Sequence, residues 1–300
     1  MQTKSVDVSV LLVNFNTRKL TEECISSIIT CTKGVRFEII VIDNNSSDDS
    51  VDYLTKLHKK GTIQLLTNKS NVGFAAANNQ GIEIAKGSCV LLLNTDTKLN
   101  SDAISSTFHT LMSKPSVGIV SCGLTNADGS LQPSGGYFPT ISRLLTWMLF
   151  IDDLPILSSV ITSFHPQTSY FRTAHMQDWV TGAFFMIKRQ VIDAIGGLDP
   201  EYFMYVEEMD FCFRAKQKGF GIYFDPSDSI IHYGQGSGAN TNALSMELKN
   251  IALFYKKHHN QSRFVARCIL KLGSFARMII FAILGKGSLS KTYAKALNQI

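Results

Sequence analysis

The last 52 residues of this 300-residue chain contain no aspartate or glutamate. They hold ten lysines and arginines, a local charge of +10, whereas residues 1–248 carry 19 basic against 24 acidic side chains, a charge of −5. The total of +5 is therefore a property of the C-terminal segment, which asks for an anionic neighbour: nucleic acid or an anionic membrane surface. No CxxC pair occurs among the six cysteines, and none has a spacing to histidine that suggests zinc. Cys89 sits in the apolar run Ser88–Leu93, and buried free thiols in a reducing compartment are the expectation. No apolar leader opens the sequence, since Met1–Asp7 is polar, so the body is expected to stay in the cytosol. No GxGxxG follows the first apolar run and no GxxxxGK[ST] occurs anywhere, which disfavours a dinucleotide or Walker-type site. Internal repeats and low-complexity tracts are missing too.

What is there is an alternation. Val8–Val13, Phe37–Ile42, Thr62–Leu66 and Cys89–Leu93 are short apolar runs, separated by helical patterns over residues 17–30, 48–58 and 74–85. Continuous Val/Ile/Leu strands between helices predict an α/β domain with a mainly parallel sheet covered on both faces. Beyond Val117–Ser121 the pattern loosens. Residues 123–177 are rich in Gly, Ser and Pro, with apolar patches at 144–151 and 154–161, and read as a substrate-facing lid or loop. A strand over Trp179–Ile187, helices over 188–195 and 207–218, and short strands at Ile222–Phe224 and Ser229–His232 follow.

Ligands of such sheets bind beyond the carboxyl ends of the strands. Those ends carry Asn14 and Asn16, Asp43 with Asn44 and Asn45, Asn68 and Asn71, and Asn94-Thr95-Asp96. A carboxylate at Asp96 can hold a hard cation that bridges two phosphates. The competing role, capping the helix that begins near Ser101, suits Asp102 better. Glu207, Glu208 and Asp210 open a helix, where the helix dipole alone favours acids. Asp210 stands four residues before Arg214 and can pair with it, whereas Glu208 has Cys212 at that spacing and is freer to act as a base. His232, at a strand end before the glycine-rich 234–238, is a candidate metal ligand.

The blocks Val10-Leu-Leu-Val-Asn-Phe-Asn16, Val41-Ile-Asp-Asn-Asn-Ser46, Asn71-Val-Gly-Phe-Ala-Ala-Ala-Asn-Asn79 and Leu92-Leu-Asn-Thr-Asp-Thr97 resemble the family 2 inverting glycosyltransferases. So do Trp179-Val-Thr-Gly-Ala183, Gly196-Gly-Leu-Asp199 and Phe203-Met-Tyr-Val-Glu-Glu-Met-Asp210, in the order and spacing of a rhamnosyltransferase-like branch that builds bacterial surface polysaccharides. The resemblance covers residues 7–235 and implies a GT-A fold. A glycosyltransferase domain would occupy residues 1–240, with a nucleotide-binding half over 1–122 and an acceptor half over 123–240, before a helical tail over 241–300.

By position, the resemblance implies that Val13, Asn14 and Phe15 frame the nucleobase and that Asp43 contacts base or ribose. Asn71 and Gly73 fall beside the donor, and Trp179, Thr181 and Gly182 beside the donor or acceptor sugar. Asn94-Thr95-Asp96 matches the DxD element, whose last acid binds Mg²⁺ or Mn²⁺, and His232 matches a histidine that completes the metal site in some members. Glu208 falls on the general base; a one-residue slip would exchange its role with Glu207, and Asp210 is the third acid of the cluster. Two positions depart from the pattern: Asn94 replaces the first DxD acid, and the base is Glu rather than Asp. The implied partners are a dTDP- or UDP-type sugar donor and a saccharide or lipid-linked acceptor, with no nucleic acid. A sugar nucleotidyltransferase would want a basic, glycine-rich loop where Asn14–Thr17 stands; a non-catalytic binding protein is the third alternative.

In the tail, Arg263, Arg267, Lys271, Ser274 and Arg277 recur at spacings of 4, 4, 3 and 3 residues, one polar stripe on an otherwise apolar helix. A basic amphipathic helix of this kind lies in a membrane interface, here the inner face of the cell membrane; the alternative is a helix packed on the body or on a subunit. Three cations within Phe264–Gly285 argue against a membrane-spanning segment.

Overall fold

The computed structural model describes residues 5–152, 164–234 and 243–300. The apolar patch at 154–161 and the glycine-rich stretch beyond Gly234 lie outside the described residues. The first half of the chain forms β1 (Val8–Asn14), α1 (Arg18–Cys31), β2 (Phe37–Asp43), α2 (Ser50–Lys59), β3 (Gln64–Thr67), α3 (Phe74–Ile84) and β4 (Cys89–Leu93). Next come β5 (Thr97–Leu99), α4 (Ala103–Ser113), β6 (Val117–Thr125), β7 (Leu131–Gln132), β8 (Gly135–Gly136) and α5 (Ile141–Met148). The remainder is β9 (His175–Met176), β10 (Trp179–Val180), β11 (Phe184–Lys188), α6 (Arg189–Ile195), α7 (Glu207–Gln217), β12 (Gly221–His232), α8 (Ala243–His258), α9 (Arg263–Ile283) and α10 (Gly287–Gln299).

These elements divide into two compact units. One comprises Met1–Gly135, Thr168–Phe203 and Glu207–Gly236; the other comprises Gly136–Gln167, Met204–Val206 and Ser237–Ile300.

The first unit is built on a sheet in the order β3-β2-β1-β4-β11-β6-β12-β5. The pairs β1–β2, β2–β3, β1–β4 and β6–β12 are parallel, while β11 runs antiparallel between β4 and β6 and β5 antiparallel to β12. Val8, Val10 and Leu12 share a core with Cys24, Ile25 and Ile28 of α1 and Leu54 of α2. The alternate residues Leu11 and Ile42 meet Gly81 of α3, where an added Cβ would lie 2.6 Å from Leu11 Cδ2. The period of two thus sends apolar side chains to both faces, and helices cover both.

Two expectations are corrected, and one strand is new. The strand expected over 179–187 is interrupted at Thr181–Ala183. The two strands expected at 222–224 and 229–232 are one strand, β12, with its register shifted between Asp225 and Ser229. That bulge lets Pro226 sit in the strand without occupying a ladder position. β5, three residues long, was not anticipated. All six cysteines are free, and Cys24, Cys89, Cys122 and Cys212 are buried, as their apolar settings imply. Burial pushes the Cys24 thiol up to about 12.

In the second unit α9 packs on α5, α8 and α10. Its buried positions are Ala266, Leu270, Gly273, Ser274 and Arg277. The polar stripe expected along this helix is therefore divided: Arg263 and Arg267 are exposed and Lys271 is half-buried, but Ser274 and Arg277 face inward. Arg277 donates to the carbonyls of Trp147 and Met148 at the end of α5 and to Tyr293 Oη, and lies 3.8 Å from the Phe150 ring centroid. The carbonyls left open at the end of a helix attract a cation, which accounts for a guanidinium on the inner face. Among the described residues no helix is long and apolar enough to cross a membrane.

Candidate active site

The carboxyl ends of β1 and β2 are joined by side chains. Buried Asn14 donates from Nδ2 to Asp43 Oδ1 at 2.7 Å and to Ser46 Oγ at 2.9 Å. Its Oδ1 accepts from Thr17 Oγ1 at 2.9 Å and Thr21 Oγ1 at 2.6 Å. The Asp43 carboxylate also accepts from Ser46 Oγ and from Ser46 N, closing the turn after β2. Asn16 and Asn45, the left-handed residues of these turns, have φ of 56° and 69°, a conformation that asparagine tolerates. Thr17 Oγ1 lies 3.1 Å from Thr95 Oγ1, so a continuous polar chain runs from Asp43 through Asn14 and Thr17 to the residue beside Asp96. Val13 is half-buried within β1, and Phe15 stands exposed at its end.

The loop before α3 is held by amides. Asn44 donates to Asn71 Oδ1 at 2.9 Å, and its Oδ1 accepts from Asn68 Nδ2 and Val72 N. Asn71 Oδ1 in turn accepts from Gly73 N at 3.0 Å. Gly73 has φ +88°, and the next residue donates from Phe74 N to Phe203 O at 2.7 Å, tying this loop to the segment that precedes α7.

Asp96 and His232 meet because β5 turns back directly after Asp96 and pairs with β12, placing Thr97 opposite His232. The His232 Nε2–Asp96 Oδ1 distance is 3.4 Å, and Tyr233 N donates to Asp96 O at 2.9 Å. Asp96 is 3% exposed, more enclosed than a strand-end position suggests. His232 Nδ1 lies 2.6 Å from Gln132 Oε1, whose own Nε2 donates to Asn126 Oδ1 at 2.9 Å. With the Gln132 amide so oriented, its oxygen accepts and Nδ1 carries the proton. This leaves Nε2 as the ring nitrogen that faces the Asp96 carboxylate, with Asn94 Nδ2 at 3.4 Å. Among the described residues no three His, Cys, Asp or Glu form a complete metal cage. Two donors fit a cation that takes its remaining ligands from phosphate and water, and a histidine fixed through its other nitrogen is the usual companion of a metal. Asp102 caps α4, accepting from Ser105 N, which leaves Asp96 out of that role.

At the start of α7 the three acids differ. Asp210 is buried and paired with Arg214 at 2.7 Å, as the spacing of four implies; Arg214 also donates to Ile195 O and Gly197 O. Glu207 is buried, and its carboxyl is pushed well above the usual carboxylate range, first by burial and then by the neighbouring Glu208 charge. Glu208 is half-buried, the most accessible of the three.

Trp179 is half-buried in β10, which packs on α7. Thr181 N donates to Ser134 O at 3.0 Å, and Ala183 O accepts from Asn94 N at 3.3 Å, so this turn runs beside the Asn94-Thr95-Asp96 segment. A Cβ on Gly182 would lie 3.3 Å from the Phe74 ring. Sequence reading missed Thr17, Thr21, Ser46 and Gln132 as members of the site. The hydroxyls lay within quoted or adjacent blocks, whereas nothing local marks Gln132, whose partner is 100 residues away.

The Glycosyl transferase family 2 model matches residues 9–195 of the chain. The low-salt glycan biosynthesis hexosyltransferase Agl10 of Haloferax volcanii is 28% identical over 230 residues, covering 74% of this chain and 65% of that protein. The N-acetylglucosaminyl-diphospho-decaprenol L-rhamnosyltransferase of Mycobacterium tuberculosis is 22% identical over 245 residues, 74% of this chain and 75% of the relative. The chain thus spans just under two thirds of the Haloferax volcanii relative's length. Among solved structures, the Pyrobaculum calidifontis mannosyltransferase PcManGT, in complex with GDP-Man and Mn²⁺, aligns over 99% of this chain and 75% of its own at TM-score 0.60 and 15% identity. GalNAc-T7, solved with UDP, GalNAc and Mn²⁺, aligns over 85% of this chain and 48% of its own at TM-score 0.61 and 17% identity. Both likenesses are of fold, and the fold is GT-A. With a family match across well over half its length, the chain belongs to glycosyl transferase family 2.

Proposed function

We propose that this chain transfers a sugar, with inversion at the anomeric carbon, from a nucleoside diphosphate donor to a hydroxyl of a saccharide or lipid-linked acceptor during surface polysaccharide synthesis. The observation that carries the reading is the Asp96–His232 pair, 3.4 Å apart at the carboxyl edge of the sheet, with Gln132 fixing the imidazole. Asp96 and His232 would hold a divalent cation, Mg²⁺ or Mn²⁺, which would supply positive charge for the leaving diphosphate. Val13, Asn14, Phe15 and Asp43 bind the nucleoside, with Asn71, Gly73 and Asn94 beside the diphosphate sugar. Trp179, Thr181 and Gly182 shape the sugar subsite. Glu208 removes the proton as the acceptor oxygen attacks the anomeric carbon, and the bond to the diphosphate oxygen breaks with its electron pair on the leaving group. Burial, and then the Glu208 charge, hold the Glu207 carboxyl well above the usual carboxylate range, which disfavours a second negative charge beside that base. Asp210 positions the helix through Arg214. The basic C-terminal segment sets the reaction at the inner face of the cell membrane, where a lipid-linked acceptor resides.

The donor is a dTDP- or UDP-sugar, with rhamnose and hexoses the competing sugars. The chain is screened against a panel of nucleotide sugars by thermal shift with and without Mn²⁺, followed by a donor-hydrolysis assay. Binding raises the melting temperature according to the ratio of ligand to Kd. A Mn²⁺-dependent shift with one nucleotide class, and hydrolysis of that donor, is the expected result. Indifference to every nucleotide sugar, with or without metal, would overturn the reading.

A further inference from the structure

α9 carries its bulk on the outside. The face it turns to α5, α8 and α10 is small or polar at Ala266, Gly273, Ser274 and Arg277, with Leu270 and, near the C-terminal end, Phe281, stacked on Tyr293, as its large apolar members. Gly273 is pressed so closely on Met148 that an added Cβ would lie 2.5 Å from the Met148 Cβ. The large apolar side chains point the other way: Phe264 is 74% exposed, Leu272 70% and Ile283 80%, with Phe275 and Ile279 exposed between them. These five positions are separated by 8, 3, 4 and 4 residues, which at 3.6 residues per turn puts them on one face. A water-facing helix packed on its own protein normally has the reverse arrangement.

Cations border this face. Arg263, Arg267 and Lys271 run along one side at intervals of four, Lys286 follows the end of α9, and Lys291 and Lys295 are exposed on α10. With no acid anywhere in residues 249–300, the surface offers a row of apolar groups edged only by positive charge. Two copies paired through the same patch would set like charges against each other. A nucleic-acid backbone would match the cations but leave Phe264, Leu272 and Ile283 without an apolar partner. An anionic bilayer satisfies both, with headgroup phosphates for the cations and the acyl boundary for the apolar row.

We propose that α9 docks flat on an anionic lipid bilayer through Phe264, Leu272, Phe275, Ile279 and Ile283, with Arg263, Arg267, Lys271 and Lys286 at the headgroups. Arg277, by contrast, faces inward and fastens α9 to the end of α5. This specifies the contact face for the membrane location given above and rests on that part of the reading, but its test needs no turnover. A failure of the transfer chemistry would leave it standing.

The full chain is sedimented with vesicles of mixed phosphatidylglycerol and phosphatidylcholine, and with phosphatidylcholine alone, at low and high salt. Sedimentation velocity without lipid is run in parallel. The expected result is binding to the anionic vesicles that weakens with salt and drops at least about tenfold for Leu272→Glu combined with Ile283→Glu. Both positions are exposed, so circular dichroism of the double variant should match the parent. Arg267→Gln with Lys271→Gln should weaken anionic binding and flatten its salt dependence. Absence of vesicle binding, or binding unchanged in the double glutamate variant, overturns the proposal. So does a lipid-free dimer that the glutamates dissociate, which would make a second copy the occupant.

Discussion

Gly73→Ala perturbs the loop that links the candidate donor site to the segment before α7, and its size can be worked from the geometry. Gly73 has φ +88° and ψ 169°, a region that L-residues almost never occupy. Forcing alanine there costs about 1–3 kcal/mol in backbone strain. The new Cβ would also stand 2.5 Å from Phe203 O and 2.7 Å from Phe203 Cδ2, so the 203 carbonyl must move. That carbonyl accepts from Phe74 N at 2.7 Å, and losing the bond removes about 1 kcal/mol more. The expected loss is about 2–4 kcal/mol, less whatever the exposed Phe203 side chain recovers by swinging outward. Gly61→Ala is the control: it has φ +72° with nothing within 4 Å of its Cβ, so it bears the backbone strain alone. Urea unfolding of both variants, with donor affinity by titration calorimetry, separates the two contributions. Equal midpoints for Gly73→Ala and Gly61→Ala, with donor affinity unchanged, would refute the reasoning.

Asp96→Ala should abolish transfer and remove the Mn²⁺ dependence of donor binding while keeping the fold by circular dichroism; full-rate transfer would exclude Asp96 as the metal ligand. Gln132→Leu leaves the His232 Nδ1–H without its acceptor and should weaken Mn²⁺-dependent donor binding by about 10–100-fold, read by calorimetry. Glu207 has a folded-state pKa raised above its unfolded value, so it lowers stability increasingly as pH climbs from the unfolded carboxylate value of about 4.3 toward the folded one. Glu207→Gln removes that penalty, and its urea midpoint should gain on the parent's across this window; a constant difference would contradict the raised pKa.

The four strand–helix repeats at the start were legible because buried parallel strands are continuous apolar runs, and Val8–Val13 and Cys89–Leu93 could be mistaken for little else. Glu208, Asp96 and His232 were legible as candidates from position, and Asp210–Arg214 from its spacing. What brings Asp96 to His232 was not. β5 is only Thr97–Leu99, too short for any periodicity, and its pairing with β12 is a long-range fact. β12 itself was hidden by Pro226 and the bulge, which break its alternation. The tail misled for another reason. Spacing finds a face, but not which face packs inward, and Gly273 allowed α9 to approach α5 on the side that holds Arg277.

Turnover measured together with donor affinity in Glu208→Gln tests the central claim most directly. As general base, Glu208 must touch the acceptor hydroxyl and need not touch the donor, so the amide should leave donor and Mn²⁺ affinity unchanged. Turnover should fall by about 10²–10⁴-fold. Asp210→Asn, measured alongside, should lose stability through its broken pair with Arg214 and change the rate less. Glu208→Gln turning over at the parent rate, while Glu207→Gln or Asp210→Asn does not, would contradict the account.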